Sequence, residues 1–148
     1  MAKVLRIMNR FVIGGPVLNI TYLSRFLEPD YESLMIVGAN EEGEKEATHL
    51  IEQYNLNILK VEEMVRPISP WKDYQAYRKI KDIIRYYKPD IVHTHAAKSG
   101  MVGRLAAAHC KVPIIVHTFH GHVFHSYFGK LQTNFIIQTE RYLAKQST

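Results

Sequence analysis

The chain has 148 residues, 47% hydrophobic and 22% charged. That composition fits one globular domain with its own core and excludes disordered and collagen-like classes, and no run approaches the roughly 20 apolar residues that a membrane span requires. A net charge of +5 favours phosphate-bearing partners without naming one, while the single cysteine, Cys110, excludes an internal disulfide framework.

The charge is unevenly spread, because residues 28–64 hold ten acidic and two basic groups while the segments on either side are net basic. The N-terminus, MAKVLRIMNRFVIGGP, lacks the apolar stretch of a secretory leader. A soluble, cytoplasmic protein is expected.

The first predicted strand, KVLRIM (3–8), runs into the loop NRFVIGGP. Gly14 and Gly15 stand before Pro16, a residue suited to the first turn of a helix, and the helical pattern continues over 17–27. The pair lacks the G-x-G-x-x-G spacing of a dinucleotide loop, which disfavours an NAD site. Two readings remain open: amides that approach a phosphate or sugar at a helix N-terminus, or a tight turn that merely needs glycine.

SLMIVG (33–38) is the second strand, residues 41–55 the second helix and NILKV (57–61) the third strand. VRPISP (65–70) then opens a third helix over 71–88, in which Trp71, Tyr74, Ile80, Ile83 and Ile84 recur at helical spacing and are expected to pack inward. Pro89 ends that helix. DIVHTH (90–95) forms the fourth strand, with His93 and His95 on one side of it, and a fourth helix covers 98–109. His93 is read as a hydrogen-bonded core histidine, and His95 and Lys98 as candidate contacts to a ligand.

The fifth strand, PIIVHTF (113–119), carries His117 and leads into FHGHVFH, where His120 and His122 flank Gly121; a last helix is expected over 128–145. Zinc would need three or four converging ligands, and this stretch has no nearby carboxylate and no H-E-x-x-H pattern. Neutral imidazoles that exchange hydrogen bonds with a hydroxyl-rich or phosphorylated ligand fit better, beside the alternative of a purely structural polar loop.

Five alternations of buried strand and helix imply an α/β fold, a doubly wound parallel sheet in three α/β/α layers forming a single domain. Ligands bind at the carboxyl ends of such strands, so the loops after the first, fourth and fifth strands should meet at one edge. Nucleic-acid binding rests on the basic balance alone and is not expected.

KPDIVHTHAAKSGMVGRLAA, then VPIIVHTFHGHVF and a helix with ERYLAK, resemble the N-terminal domain of family 4 glycosyltransferases that build bacterial surface polysaccharides. The resemblance covers nearly the whole chain. It implies a Rossmann-like domain, half of a GT-B architecture, on the acceptor side of a retaining transferase that needs no metal or other cofactor.

The donor would be a nucleotide sugar, usually UDP-linked, and the acceptor a polysaccharide or lipid-linked hydroxyl, with peripheral contact to an anionic membrane. By position, Gly14 and Gly15 would lie near the donor phosphates and His120 would contact the transferred sugar as the catalytic residue. His95, Lys98, Gly121 and His122 would line the substrate cleft.

The chain departs from the family in lacking a C-terminal donor-binding domain with its E-x7-E element. The one literal match, Glu44 to Glu52, falls in the second predicted helix. A fragment, inactive by itself, is therefore expected. The alternative is a stand-alone module that binds a phosphorylated ligand or a partner subunit.

Overall fold

The computed structural model describes residues 1–121 and 129–148. Strands and helices alternate as β1 (Ala2–Met8), α1 (Gly15–Phe26), β2 (Tyr31–Gly38), α2 (Thr48–Tyr54), β3 (Ile58–Val61), α3 (Pro70–Tyr87), β4 (Ile91–His95), α4 (Ala97–His109), β5 (Ile114–Thr118) and α5 (Lys130–Ala144). The strands form one parallel sheet in the order β3-β2-β1-β4-β5.

Side-chain alternation along each strand sorts the core into two layers. Leu5, Ile7, Leu34, Ile36, Val92 and Ile115 face α3 and α4, where they meet Ile80, Ile84, Val102 and Ala106. Met8, Met35 and Val37 point the opposite way, towards Val17 and Ile20 of α1 and Leu50 of α2. Helix α4 lies close against the sheet because Gly103 carries no side chain: a Cβ there would stand 2.7 Å from Thr94 and 3.0 Å from Ile7.

The chain winds outward from β1 to β3, then crosses back to β4 on the other side of β1. Successive helices after β1 and β4 therefore leave towards opposite faces, opening a crevice at the carboxyl edge between them. This edge carries the functional candidates.

Two expectations need correction. The second helix begins at Thr48 rather than near residue 41, because residues before it are drawn to the loop after β1. Val12 bridges Glu46, the Ala47 amide donates to the Phe11 carbonyl, and Arg10 pairs with Glu41 and Glu44. Gly43, at φ 82°, takes a backbone angle that a continuing helix would not accept. The Glu44 to Glu52 spacing therefore straddles a loop and a helix.

The second correction concerns α3. Ile80 and Ile84 are buried as expected, but Trp71 is 68% and Tyr74 51% exposed. Both stand in the first two turns of α3, which begins at Pro70, ahead of the buried Ala76, Ile80 and Ile84. Helical spacing identifies a stripe without saying which end of it reaches the core.

Candidate functional site at the carboxyl edge of the sheet

Two layers of histidine flank the end of β4. His93 and His95 share the α1 face with Arg6, which is His93's register partner on β1. The Arg6 guanidinium is 2% exposed; it donates from Nη1 to His93 Nδ1 at 3.0 Å and from Nη2 to the Leu23 carbonyl of α1 at 3.1 Å. His93 Nε2 lies 2.9 Å from Thr118 Oγ1 on β5. Both ring nitrogens of His93 are thus engaged within the fold, in keeping with a core histidine.

His95 is fully buried, its ring centroid 4.0 Å from that of His93. Its Nδ1 lies 2.8 Å from His120 Nε2, and its own Nε2 is buried without a partner among the described residues. The rings of His95 and His120 stack at 5.1 Å. This contact joins the turn after β4 to the loop after β5.

Backbone geometry holds the two together. Ala96, which follows His95, has φ 65° and ψ 166°, a region occupied almost only by glycine and costing a residue with a Cβ about 1–3 kcal/mol. It is locked there by its amide, which donates to the Thr118 carbonyl at 3.0 Å, while Ser99 Oγ donates to the His95 carbonyl. His120 is also left-handed, at φ 50°, and Gly121 follows at φ 116°. His122 lies outside the described residues.

Burial lowers the basicity of the whole cluster. His95 falls to about 2 and His93 to about 4, chiefly through desolvation, with the Arg6 cation adding repulsion. His120 is lowered by desolvation too. These imidazoles are neutral at pH 7, and the burial that holds them neutral also brings Arg6 down to about 10, still protonated.

His117 belongs elsewhere. It faces the α4 side, with Nδ1 2.9 Å from Thr94 Oγ1 and its ring so close to α4 that a Cβ on Gly100 would stand 2.3 Å from it. The two described histidines of HTFHGHVFH, His117 and His120, are therefore divided between two faces of the sheet. Among the described residues no three His, Cys, Asp or Glu side chains converge where a metal ion could sit.

Lys98 is brought to the same edge but turned towards α3. Its ammonium pairs with Asp73 at 2.6 Å and donates to the Pro67 carbonyl. Its charge is engaged by the fold.

Gly14 precedes α1 in extended backbone and Gly15 begins the helix. A Cβ on Gly14 would meet nothing nearer than 3.9 Å, and one on Gly15 would meet nothing within 4 Å. The turn itself therefore does not require glycine at either position. Among the described residues no side chain caps α1, and no acidic residue occupies its first turn, at the positive end of the helix dipole where the first amides lack intrahelical partners.

Arg6, Thr94 and Thr118 were not singled out from sequence. The signal for Arg6 was present, since a charge set between the apolar residues VL and IM must find partners once its strand is buried. Finding them required the β1–β4 register.

Comparison with known proteins adds a lineage. The Glycosyltransferase Family 4 profile matches residues 13–148. Over 63 residues the chain is 43% identical to the Escherichia coli UDP-Gal:alpha-D-GlcNAc-diphosphoundecaprenol alpha-1,3-galactosyltransferase, a match that covers 43% of this chain and 16% of that enzyme.

Three solved structures share the fold. Anabaena HepE, in complex with UDP and glucose, superposes with a TM-score of 0.72 at 15% identity, covering 100% of this chain and 36% of that one. Acinetobacter baumannii MurG gives 0.68 at 15% identity, with 100% and 40% covered. The Neisseria meningitidis UDP-GlcNAc 2-epimerase bound to UDP-GlcNAc gives 0.66 at 16% identity, with 98% and 38% covered. The chain thus spans well under half the length of these proteins.

Proposed function

Because the chain belongs to glycosyltransferase family 4, we propose that it forms the acceptor-side domain of an enzyme moving a sugar from a nucleotide sugar to a lipid-linked or polysaccharide hydroxyl. The transfer is retaining and needs no metal. The donor is UDP-linked, a reading supported by the UDP-galactose in the name of the Escherichia coli relative, and the diphosphoundecaprenol in that name supports a lipid-linked acceptor. A separate donor-binding domain completes the cleft, and without it the chain is inactive.

One observation carries the reading: the loop histidine His120 is held against His95 at the edge where the glycine loop also ends. As the bond from sugar to diphosphate breaks, negative charge gathers on the leaving phosphate and positive charge on the sugar ring. Uncapped amides at Gly14 and Gly15 suit the former. A neutral imidazole at His120 suits hydrogen bonding to the sugar, and preorganised groups of this kind act without reorganising as charge develops. Gly121 keeps the loop close, while Lys98 acts by fixing the α3 side of the cleft.

The enzyme works in the cytoplasm at the membrane face where a lipid-linked acceptor is held. Among the described residues no helix is long and apolar enough to cross a membrane; the contact in this reading is peripheral. Ile68, Trp71 and Tyr74 support it, exposed just before and along the first turns of α3 together with Lys72 and Arg78. Aromatic side chains with flanking cations suit an anionic bilayer interface. Nucleic acid has no part in this reading.

The test joins the chain to a family donor-binding domain and measures transfer from UDP-galactose to a diphosphoundecaprenol-linked sugar. His120→Ala should lower turnover about 100-fold, the scale of a lost preorganised hydrogen-bond donor. Unchanged turnover would remove His120 from the mechanism.

A further inference from the structure

The cluster Arg6, His93, His95 and His120 has a proton arrangement that can be deduced atom by atom. A guanidinium only donates, so His93 Nδ1, 3.0 Å from Arg6 Nη1, must be an acceptor. The proton of neutral His93 is therefore on Nε2, where it donates to Thr118 Oγ1 at 2.9 Å. His93 has no freedom left.

Only one proton can lie between His95 Nδ1 and His120 Nε2, which are 2.8 Å apart. If His120 supplied it, neutral His95 would carry its own proton on Nε2, an N–H buried with no acceptor among the described residues. If His95 supplies it, Nε2 keeps only an unused lone pair. A buried orphan donor is the rarer and more costly outcome. Charging His95 instead would place a second cation beside Arg6 in a site that is closed to water.

We infer that His95 is a positioning residue that donates from Nδ1 to His120 Nε2 and so holds His120 as its Nδ1–H tautomer. The consequence for chemistry is specific. His120 has no lone pair to take a proton from an acceptor hydroxyl, so it is not a general base; it meets an oxygen of its ligand as an N–H donor. The strained Ala96 turn, locked to Thr118, holds His95 in the register this requires. This role rests on the proposed contact between His120 and the ligand for its purpose, but the tautomer itself is measured with no substrate present.

The experiment is a long-range 1H–15N correlation spectrum of the 148-residue chain labelled at histidine, with His120 assigned by its loss in His120→Gln. The expected parent spectrum has His120 and His95 as Nδ1–H tautomers and His93 as Nε2–H. His95→Asn, whose side-chain amide stands near the former Nδ1, should keep His120 as Nδ1–H. His95→Leu should release it to the Nε2–H form that a free imidazole prefers.

His120 carrying its proton on Nε2 in the parent overturns the inference, and so does an unchanged His120 tautomer in His95→Leu. Should His95→Leu fail to fold, the parent spectrum still decides. A transfer assay that fails while these spectra hold would reject the proposed function and leave the tautomer assignment standing.

Discussion

Lys98 Nζ lies 2.6 Å from Asp73 Oδ1, with both side chains only 14% exposed. The pair ties the turn after β4 to the first turn of α3, and the Pro67 carbonyl accepts a further hydrogen bond from the same ammonium. Asp73→Ala should therefore cost about 1–3 kcal/mol, between the values for an exposed and a fully buried pair. Denaturant unfolding measures this. In a double-mutant cycle, Lys98→Ala should add little once Asp73 is gone; a full additional loss of acceptor binding would return Lys98 to direct substrate contact.

A second pair fixes α5. Arg104, 2% exposed, donates from Nη2 to Glu140 at 2.6 Å and from Nε to the Gly100 carbonyl. Removing Glu140 strands a buried guanidinium, so Glu140→Ala should destabilise the fold by about 3–5 kcal/mol. Replacing both residues with apolar ones of similar volume, Arg104→Met with Glu140→Leu, should recover most of that loss. Thermal melting of the single and double variants separates a pairing effect from a packing effect.

The buried histidines set a pH dependence of stability. His93 and His117 fall from 6.5 to about 4 and His95 to about 2. Unfolded chains take up protons on these residues near pH 6.5 while the native state refuses them. Their stabilisation is therefore complete above that pH and is lost as pH falls from 6.5 towards 4. Each histidine left neutral in the fold contributes a slope of about 1.4 kcal/mol per pH unit in this window. Urea midpoints from about pH 7.5 down to about pH 5 should decline steeply, and a flat profile would mean that the imidazoles are solvated.

The chain contains one tryptophan, and it stands on the exposed patch. Vesicles of equal parts phosphatidylglycerol and phosphatidylcholine should shift Trp71 emission to the blue, while pure phosphatidylcholine should do so weakly. Lys72→Gln should reduce affinity for the anionic vesicles about fivefold, equivalent to about 1 kcal/mol for one interfacial cation. Vesicles that bind without moving the emission would place the membrane contact on another face, for example the exposed row Leu131, Phe135 and Tyr142 of α5.

Much of this architecture is legible in the sequence because parallel strands buried on both faces must be nearly continuous apolar runs. KVLRIM and SLMIVG each lie within an observed strand and DIVHTH does so from its second residue, and the helices between them follow from Gly, Pro and periodicity. What fails is what depends on non-local partners. The start of α2 is set by Arg10 and Val12 reaching across to Glu44 and Glu46, and the direction of Lys98 is set by Asp73, contacts that local spacing does not encode.

The site shows the same division. His95 and His120 were visible as candidates, but which of the closely spaced histidines faced which layer was not, since one residue of register decides it. Strand alternation puts His117 on the α4 side, beneath Gly100, while the left-handed turn at His120 brings that ring back to His95.

The central strand waits longest for its neighbours. β1 is made first, yet its pairing with β4 joins residues 87 positions apart in the Arg6–His93 contact, and closing a loop of that length must precede any return from the contacts made. The half-sheet of β1, β2 and β3 can therefore assemble before the fourth strand arrives, whereas the imidazole cluster is completed only after β4 and β5 dock. Substitutions at Arg6 or His95 should accordingly speed unfolding while barely slowing the early folding phase, and those at Met35 or Ile36 should do the reverse.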